Sequence, residues 1–217
     1  MLPFTRAQFF AVFADCNAAV WPAQAVAYAI GLAMVVVLLR RAAAAALPLA
    51  GGLGLMWVFT GVAYHAMHFA SINRAAWLFA ALFVLQGLLL AHAGLLRRDL
   101  RWGAGAGRAA SVLGWALIAY AALLYPLLGA LAGHRYPELA MFGITPCPVT
   151  LFTLGVLLLA GPPLPRRVLV IPLLWTPVGG SAAFLLGVVQ DWPLLAGAAV
   201  PVYLLLGGRR SLPSAAH

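Results

Sequence analysis

Apolar and polar positions in this chain are sorted into long blocks, with no period-two alternation of the kind a half-buried strand shows. Seven stretches, 21–39, 44–69, 75–96, 109–132, 145–161, 166–188 and 192–207, are dominated by Leu, Ala, Val, Ile, Phe and Gly. Crossing about 30 Å of hydrocarbon takes roughly 20 residues of helix, so each stretch reads as a membrane span. The fifth and seventh are short, and both open on helix-start chemistry. Thr145 precedes Pro146, and Asp191 and Trp192 precede Pro193; proline's fixed φ suits the first turn. The GPPLP run at 161–165 ends the fifth. The predicted fold class is all-α: a polytopic membrane protein of seven transmembrane helices in one domain, with no gap large enough for a soluble domain.

The polar residues between the blocks set an orientation. Ten of the thirteen arginines follow the first, third, fifth and seventh stretches: Arg40, Arg41, Arg97, Arg98, Arg101, Arg108, Arg166, Arg167, Arg209 and Arg210. The intervening connections carry Arg74 and Arg135, and the N-terminal segment Arg6. Short arginine-rich loops stay cytoplasmic, so the N-terminus is expected outside and the C-terminus inside. Residues 1–20 are expected to form an outer interfacial amphipathic helix, because Thr5 and Gln8 have capping-box spacing and Phe9, Phe10 and Phe13 share one side. Residues 21–207 form the bundle and 208–217 a cytoplasmic tail.

Composition supports the membrane reading. The 217 residues are 65% hydrophobic and 8% charged, against about 45–50% and about 25% for soluble domains. A formal charge of +9 would suggest nucleic acid in a soluble protein. Here it sits in the predicted cytoplasmic loops and points to anionic lipid headgroups instead. The expected partners are the lipid bilayer and a small ligand, with oligomers allowed and nucleic acid not. The absence of lysine beside abundant Ala, Gly, Pro and Arg reads as the composition bias of a bacterial genome, so the expected location is the bacterial inner membrane.

Candidate chemistry gathers at the predicted outer ends. Tyr64, His65 and His68 close the second stretch, and Asn73, Glu138 and Asp191 lie in outer connections. His65 and His68, three apart on a helix, are expected on one face; with Glu138 or Asp191 they would make an imidazole and carboxylate site for a divalent metal of the zinc type. Cys16 and Cys147 fall on the same side and would form a disulfide in an oxidising compartment. Gln86 sits mid-span, where an amide needs a partner. Pro172 and Pro177 with Gly179 and Gly180 predict a kink or break in the sixth stretch. Gly51, Gly52, Gly54 and Gly61 interrupt the second, around Trp57.

Aligning Pro22 with Pro146 brings Gly31 onto Gly155. Aligning Trp57 with Trp175 brings Gly61 onto Gly179 and Asn73 onto Asp191. That spacing suggests a 3+1+3 parallel repeat, an arrangement used by small transporters. Further signals are Asn17, Trp21, Pro22 and Gln24, the pairs Tyr64–His65 and Ile72–Asn73, and the Phe-Gly-Ile-x-Pro-x-Pro-x-Thr tract at 142–150. On these the chain resembles an uncharacterised bacterial family whose domain has no assigned function, over most of its length. The resemblance implies that the polar cluster and Gln86 are where a shared function would reside.

Three functional classes follow. The first is a transporter of small solutes or ions, or a ligand-binding relative, with an outward-facing cavity walled by Trp57, Tyr64, His65, Asn73, Gln86, Trp175 and Asp191. The second is a metal-dependent membrane enzyme using His65, His68 and Glu138. The third is a non-catalytic subunit of a membrane complex. The balance leans away from an enzyme, and no carboxylate lies within any predicted span, which favours binding or facilitated movement over proton pumping.

Overall fold

The computed structural model describes residues 2–40, 45–102, 107–160 and 164–200. They form α1 (Arg6–Ala19), α2 (Ala23–Arg40), α3 (Leu47–Ser71), α4 (Ala76–Leu96), α5 (Arg108–Leu131), α6 (Pro146–Leu158), α7 (Arg167–Leu185) and α8 (Trp192–Gly197). Strand pairing among the described residues is one bridge, Trp102 to Ala160. Five helices, α2, α3, α4, α5 and α7, are long and apolar enough to cross a membrane. The expected all-α architecture is thus present, with five candidate spans among the described residues. The later half of the seventh predicted stretch and the tail at 208–217 lie outside the described residues.

The fifth predicted span is a different object from the other five. α6 has 13 residues, and every one of them is buried. At about 1.5 Å per residue it covers only some 20 Å, and a helix apolar all round belongs in a core. Its neighbours shield it from the surroundings of the bundle, so its length is set by them alone. Non-helical backbone meets it at one end: Ala140, Phe142, Ile144 and Thr145 of the preceding loop are all buried. Irregular backbone at such depth is tolerated only against protein. At the other end Trp102 Nε1 donates to the Val156 carbonyl at 3.2 Å.

α1 begins as the spacing predicts. Gln8 N–H donates to Thr5 Oγ1, and Thr5 N–H to Gln8 Oε1, closing the capping box. Its phenylalanine face, however, turns onto the bundle: Phe9, Phe10 and Phe13 are buried, and the helix packs on the last turns of α3. Asn17 anchors its far end, donating from Nδ2 to the carbonyls of Pro137 and Leu139 at 2.6 and 2.7 Å. Gln24 Nε2 donates to the Asn17 carbonyl at 2.8 Å.

α7 runs through both prolines as one continuous helix, so of the expected kink or break the break does not occur. A proline at position i frees the carbonyl at i−4, and each freed carbonyl has found another donor. Val168 O, four residues before Pro172, accepts from Gln86 Nε2 of α4 at 2.8 Å. Leu173 O, four before Pro177, accepts from Thr176 Oγ1 at 2.9 Å. Transmembrane prolines are tolerated by such substitution. Gln86 therefore binds a backbone, not the solute wall on which it was expected. Gln86→Leu should cost about 1 kcal/mol, and less in a Pro172→Ala background, where residue 172 regains its own donor. Equal costs in both backgrounds, measured by thermal unfolding in detergent, would refute the pairing.

Glycines set the closest helix crossings. A Cβ on Gly87 of α4 would stand 2.5 Å from the Gly54 carbonyl of α3, and one on Gly155 of α6 would stand 2.7 Å from the Gly114 carbonyl of α5. Of the aligned pairs, Gly61 meets Ala80, Phe83 and Val84 of α4, and Gly179 meets Leu194 of α8. These two are equivalent crossings, each against the following helix. Gly31 faces the Phe142 ring while Gly155 faces α5, so the first halves of the two triplets are packed differently.

Candidate functional site

At the end of the bundle opposite the arginine-rich connections, α1, α3, α4, α5, α6 and α7 line a cavity of about 170 Å³. Phe4, Phe9 and Phe13 roof it from the N-terminal segment, and Phe69 and Phe79 wall one side. Of the expected ligand-binding residues, Tyr64, His65, Asn73, Trp175 and Asp191 line this space. Trp57 does not. It is fully buried lower in the core, with its indole N–H donating to Thr153 Oγ1 at 2.8 Å and its ring 4.3 Å from Phe83.

His65 is the most confined polar group. It is wholly buried among aromatic rings: Phe83 at 4.6 Å, Tyr64 at 5.1 Å and Trp175 at 5.2 Å between centroids. Neither Nδ1 nor Nε2 has a hydrogen-bond partner, and Trp175 Nε1 has none either. Buried polar atoms are paired in nearly all native structures, and an unpaired one costs about 1–3 kcal/mol. The two His65 nitrogens have no partner and Trp175 Nε1 is opposed only by the Cys147 thiol, so these are the least satisfied polar groups of the cavity.

Asp191 forms the polar floor. It lies in the short turn Val189–Asp191 between α7 and α8 and is 1% exposed. It occupies the predicted start position of α8 but makes no side-chain cap; its Oδ1 instead accepts the Tyr125 hydroxyl of α5 at 2.5 Å. Burial raises its carboxyl to about 7, with the Tyr125 hydroxyl and the Cys147 thiol pulling the other way. Cys147 reaches this cluster because Pro146 starts α6 beside it, and Gly179 of α7 leaves room: a Cβ there would touch both Cys147 Sγ and Trp175 Nε1. The ion pairs among the described residues are His134–Glu138 and Arg167–Asp99, and neither involves Asp191.

The expected metal set does not assemble. Among the described residues, no three His, Cys, Asp or Glu side chains are placed to hold an ion. His65 faces the cavity, His68 Nδ1 bonds the Ala63 carbonyl at 2.6 Å, and Glu138 is exposed beside His134. The reason is local: Thr60–His68 is wound as a π-helix, whose wider turn takes residues three apart off a shared face. The expected Cys16–Cys147 bridge is not formed either; both thiols are free and buried. Burial pushes Cys16 up to about 12, so it stays protonated and unreactive.

Sequence reasoning missed Tyr125 and the roof. Tyr125 lies among apolar residues next to Pro126, and its only signal was a hydroxyl placed where an apolar helix needs a partner. The phenylalanines were legible as a face, but not what that face covers.

A family model covers residues 6–215, that of the Family of unknown function (DUF6064). The chain belongs to this family. No curated protein and no solved structure matches it. Membership in DUF6064 confers no activity, so the chemistry of this DUF6064 chain rests on the cavity itself.

Proposed function

We propose that this DUF6064 protein is a seven-span protein of the bacterial inner membrane, N-terminus outside and C-terminus inside, that binds a small solute in this cavity and moves it or senses it. The observation that carries the reading is a cavity whose lining includes buried hydrogen-bonding atoms with no partner, on His65 and Trp175. Its volume of about 170 Å³ is close to the roughly 150 Å³ that admits a benzene-sized molecule. The orientation follows from the arginines, and it puts the cavity mouth at the outer face. α6, central and shielded, counts as the fifth span, and α8 begins the seventh.

The test compares cells producing the wild type, Trp175→Ala and Gly179→Ala, the last of which presses a methyl group on Trp175 and Cys147 at the cavity wall. The cells share a defined medium of small amines, alcohols, amino acids and carboxylic acids. Wild type should deplete at least one component faster than cells lacking the protein, and both variants should slow that depletion by roughly tenfold or more. Membrane insertion is checked by fractionation. Depletion unchanged by both inserted variants would defeat the reading, as would a wild type indistinguishable from empty cells.

A further inference from the structure

The polar groups around the cavity are not an arbitrary set. Asp191 is a buried carboxylate with no basic partner among the described residues. Its hydrogen-bond partners, the Tyr125 hydroxyl and the Cys147 thiol, are both uncharged donors, so no positive charge offsets it. A buried carboxylate is costly unless paired or neutralised. The space beside it is lined by aromatic side chains, chiefly Tyr64, Phe13, Phe69 and Trp175, with Tyr64 stacked between Phe13 and Phe69, and no arginine lines it. Tyr64 and Asp191 line the same cavity. A carboxylate set among aromatic rings is the environment that attracts an ammonium group, through charge and through the ring quadrupoles together.

The remaining orphan atoms specify the other end. Trp175 Nε1–H is a donor only, so it needs an acceptor. Neutral His65 offers one donor and one acceptor. An anion would meet Asp191 with no arginine in the wall to offset it. A hydrocarbon would leave the carboxylate without a counter-charge and the His65 nitrogens without partners. A cation bearing one hydroxyl or carbonyl oxygen satisfies both ends.

Resting on the solute-cavity reading above, we propose that the solute is a small organic cation of the amino-alcohol class. Its ammonium sits between Asp191 and the aromatic wall, and its oxygen accepts from Trp175. The cavity volume limits it to about six to eight non-hydrogen atoms.

The test uses the full chain in mild detergent and two probes of one shape: choline, and its uncharged isostere with carbon replacing nitrogen. Isothermal titration should show choline binding at least tenfold more tightly than the isostere, with ethanolamine also binding. Asp191→Asn should bring the two probes to similar affinity. The two-probe comparison in wild type needs no variant, so it decides the matter even where Asp191→Asn fails to fold. Equal affinities, a preference for the isostere or for propionate, or no binding of any cation would overturn the proposal. Should the depleted solute in the cell assay be neutral or acidic, the cation inference fails and the solute cavity stands; should nothing be depleted, both fail.

Discussion

Gly87→Leu is expected to leave no folded bundle, and Gly87→Ala to lower stability by about 1–3 kcal/mol, the usual cost of overpacking a filled contact. A Cβ at Gly87 would lie 2.5 Å from the Gly54 carbonyl oxygen, 2.7 Å from Val58 Cγ2 and 3.1 Å from the Val58 backbone nitrogen. Two of these three atoms are backbone, so no rotamer change relieves the clash and α3 and α4 must separate. In a membrane the helices have no hydrophobic drive to hold them together; close van der Waals packing at small residues does that work. Separation therefore removes the attraction itself. Gly155→Ala should behave alike, since its Cβ would lie 2.7 Å from the Gly114 carbonyl. Gly51 of α3 is the internal control: a Cβ there meets only Leu47 Cδ1 at 3.9 Å. Alanine at 51 should be neutral, or stabilising by about 0.5–1 kcal/mol. Thermal unfolding in detergent reads all three. A Gly87→Ala protein as stable as Gly51→Ala would show that the α3–α4 crossing is not set by this contact.

The second large effect is on pH dependence. Burial carries the Asp191 carboxyl from 3.8 to about 7, which corresponds to about 4 kcal/mol of differential interaction. The folded pKa is raised, so between these values the native state binds the proton that the unfolded state has released. Stability then falls as pH rises from about 4 to about 7 and levels off above. Asp191→Asn cannot ionise, and its amide oxygen still accepts the Tyr125 hydroxyl. This variant should lose that slope and melt at a higher temperature than wild type at pH 8. Other carboxyls titrate in the same range, so the difference between the two proteins is the measurement. A wild type whose melting point rises over this interval relative to the variant would contradict the assignment. Saturating choline should flatten the wild-type slope, because a bound ammonium gives the ionised carboxylate its partner.

Burial of this size explains why some of the site was legible in advance and some was not. Tyr64, His65, Asn73, Trp175 and Asp191 were picked out as polar or aromatic groups at the same ends of different apolar segments, and they share a cavity because the segments are parallel or antiparallel rods. Trp57 and Gln86 looked equally suitable, yet their partners turned out to be Thr153 and the Val168 carbonyl. Which of several buried polar groups is already paired depends on what faces it across a helix crossing, and spacing along one helix carries no record of that. His65 and His68 fail as a pair for a related reason, since residues three apart share a face in an α-helix and not in the π-helix formed here.

What the chain determines by itself is the set of apolar rods, their ends and their capping. Blockwise hydrophobicity, prolines at first turns and the Thr5–Gln8 box are local causes, and local causes are written in order along the sequence. The tertiary structure decided the rest. It put α6 at the centre, where all of its residues are covered by neighbours. It turned the α1 phenylalanines onto a cavity, and it joined Tyr125 to Asp191 across 66 positions of chain. Those outcomes depend on which surfaces meet, and close packing between helices is settled by shape at the contact, which no single segment contains.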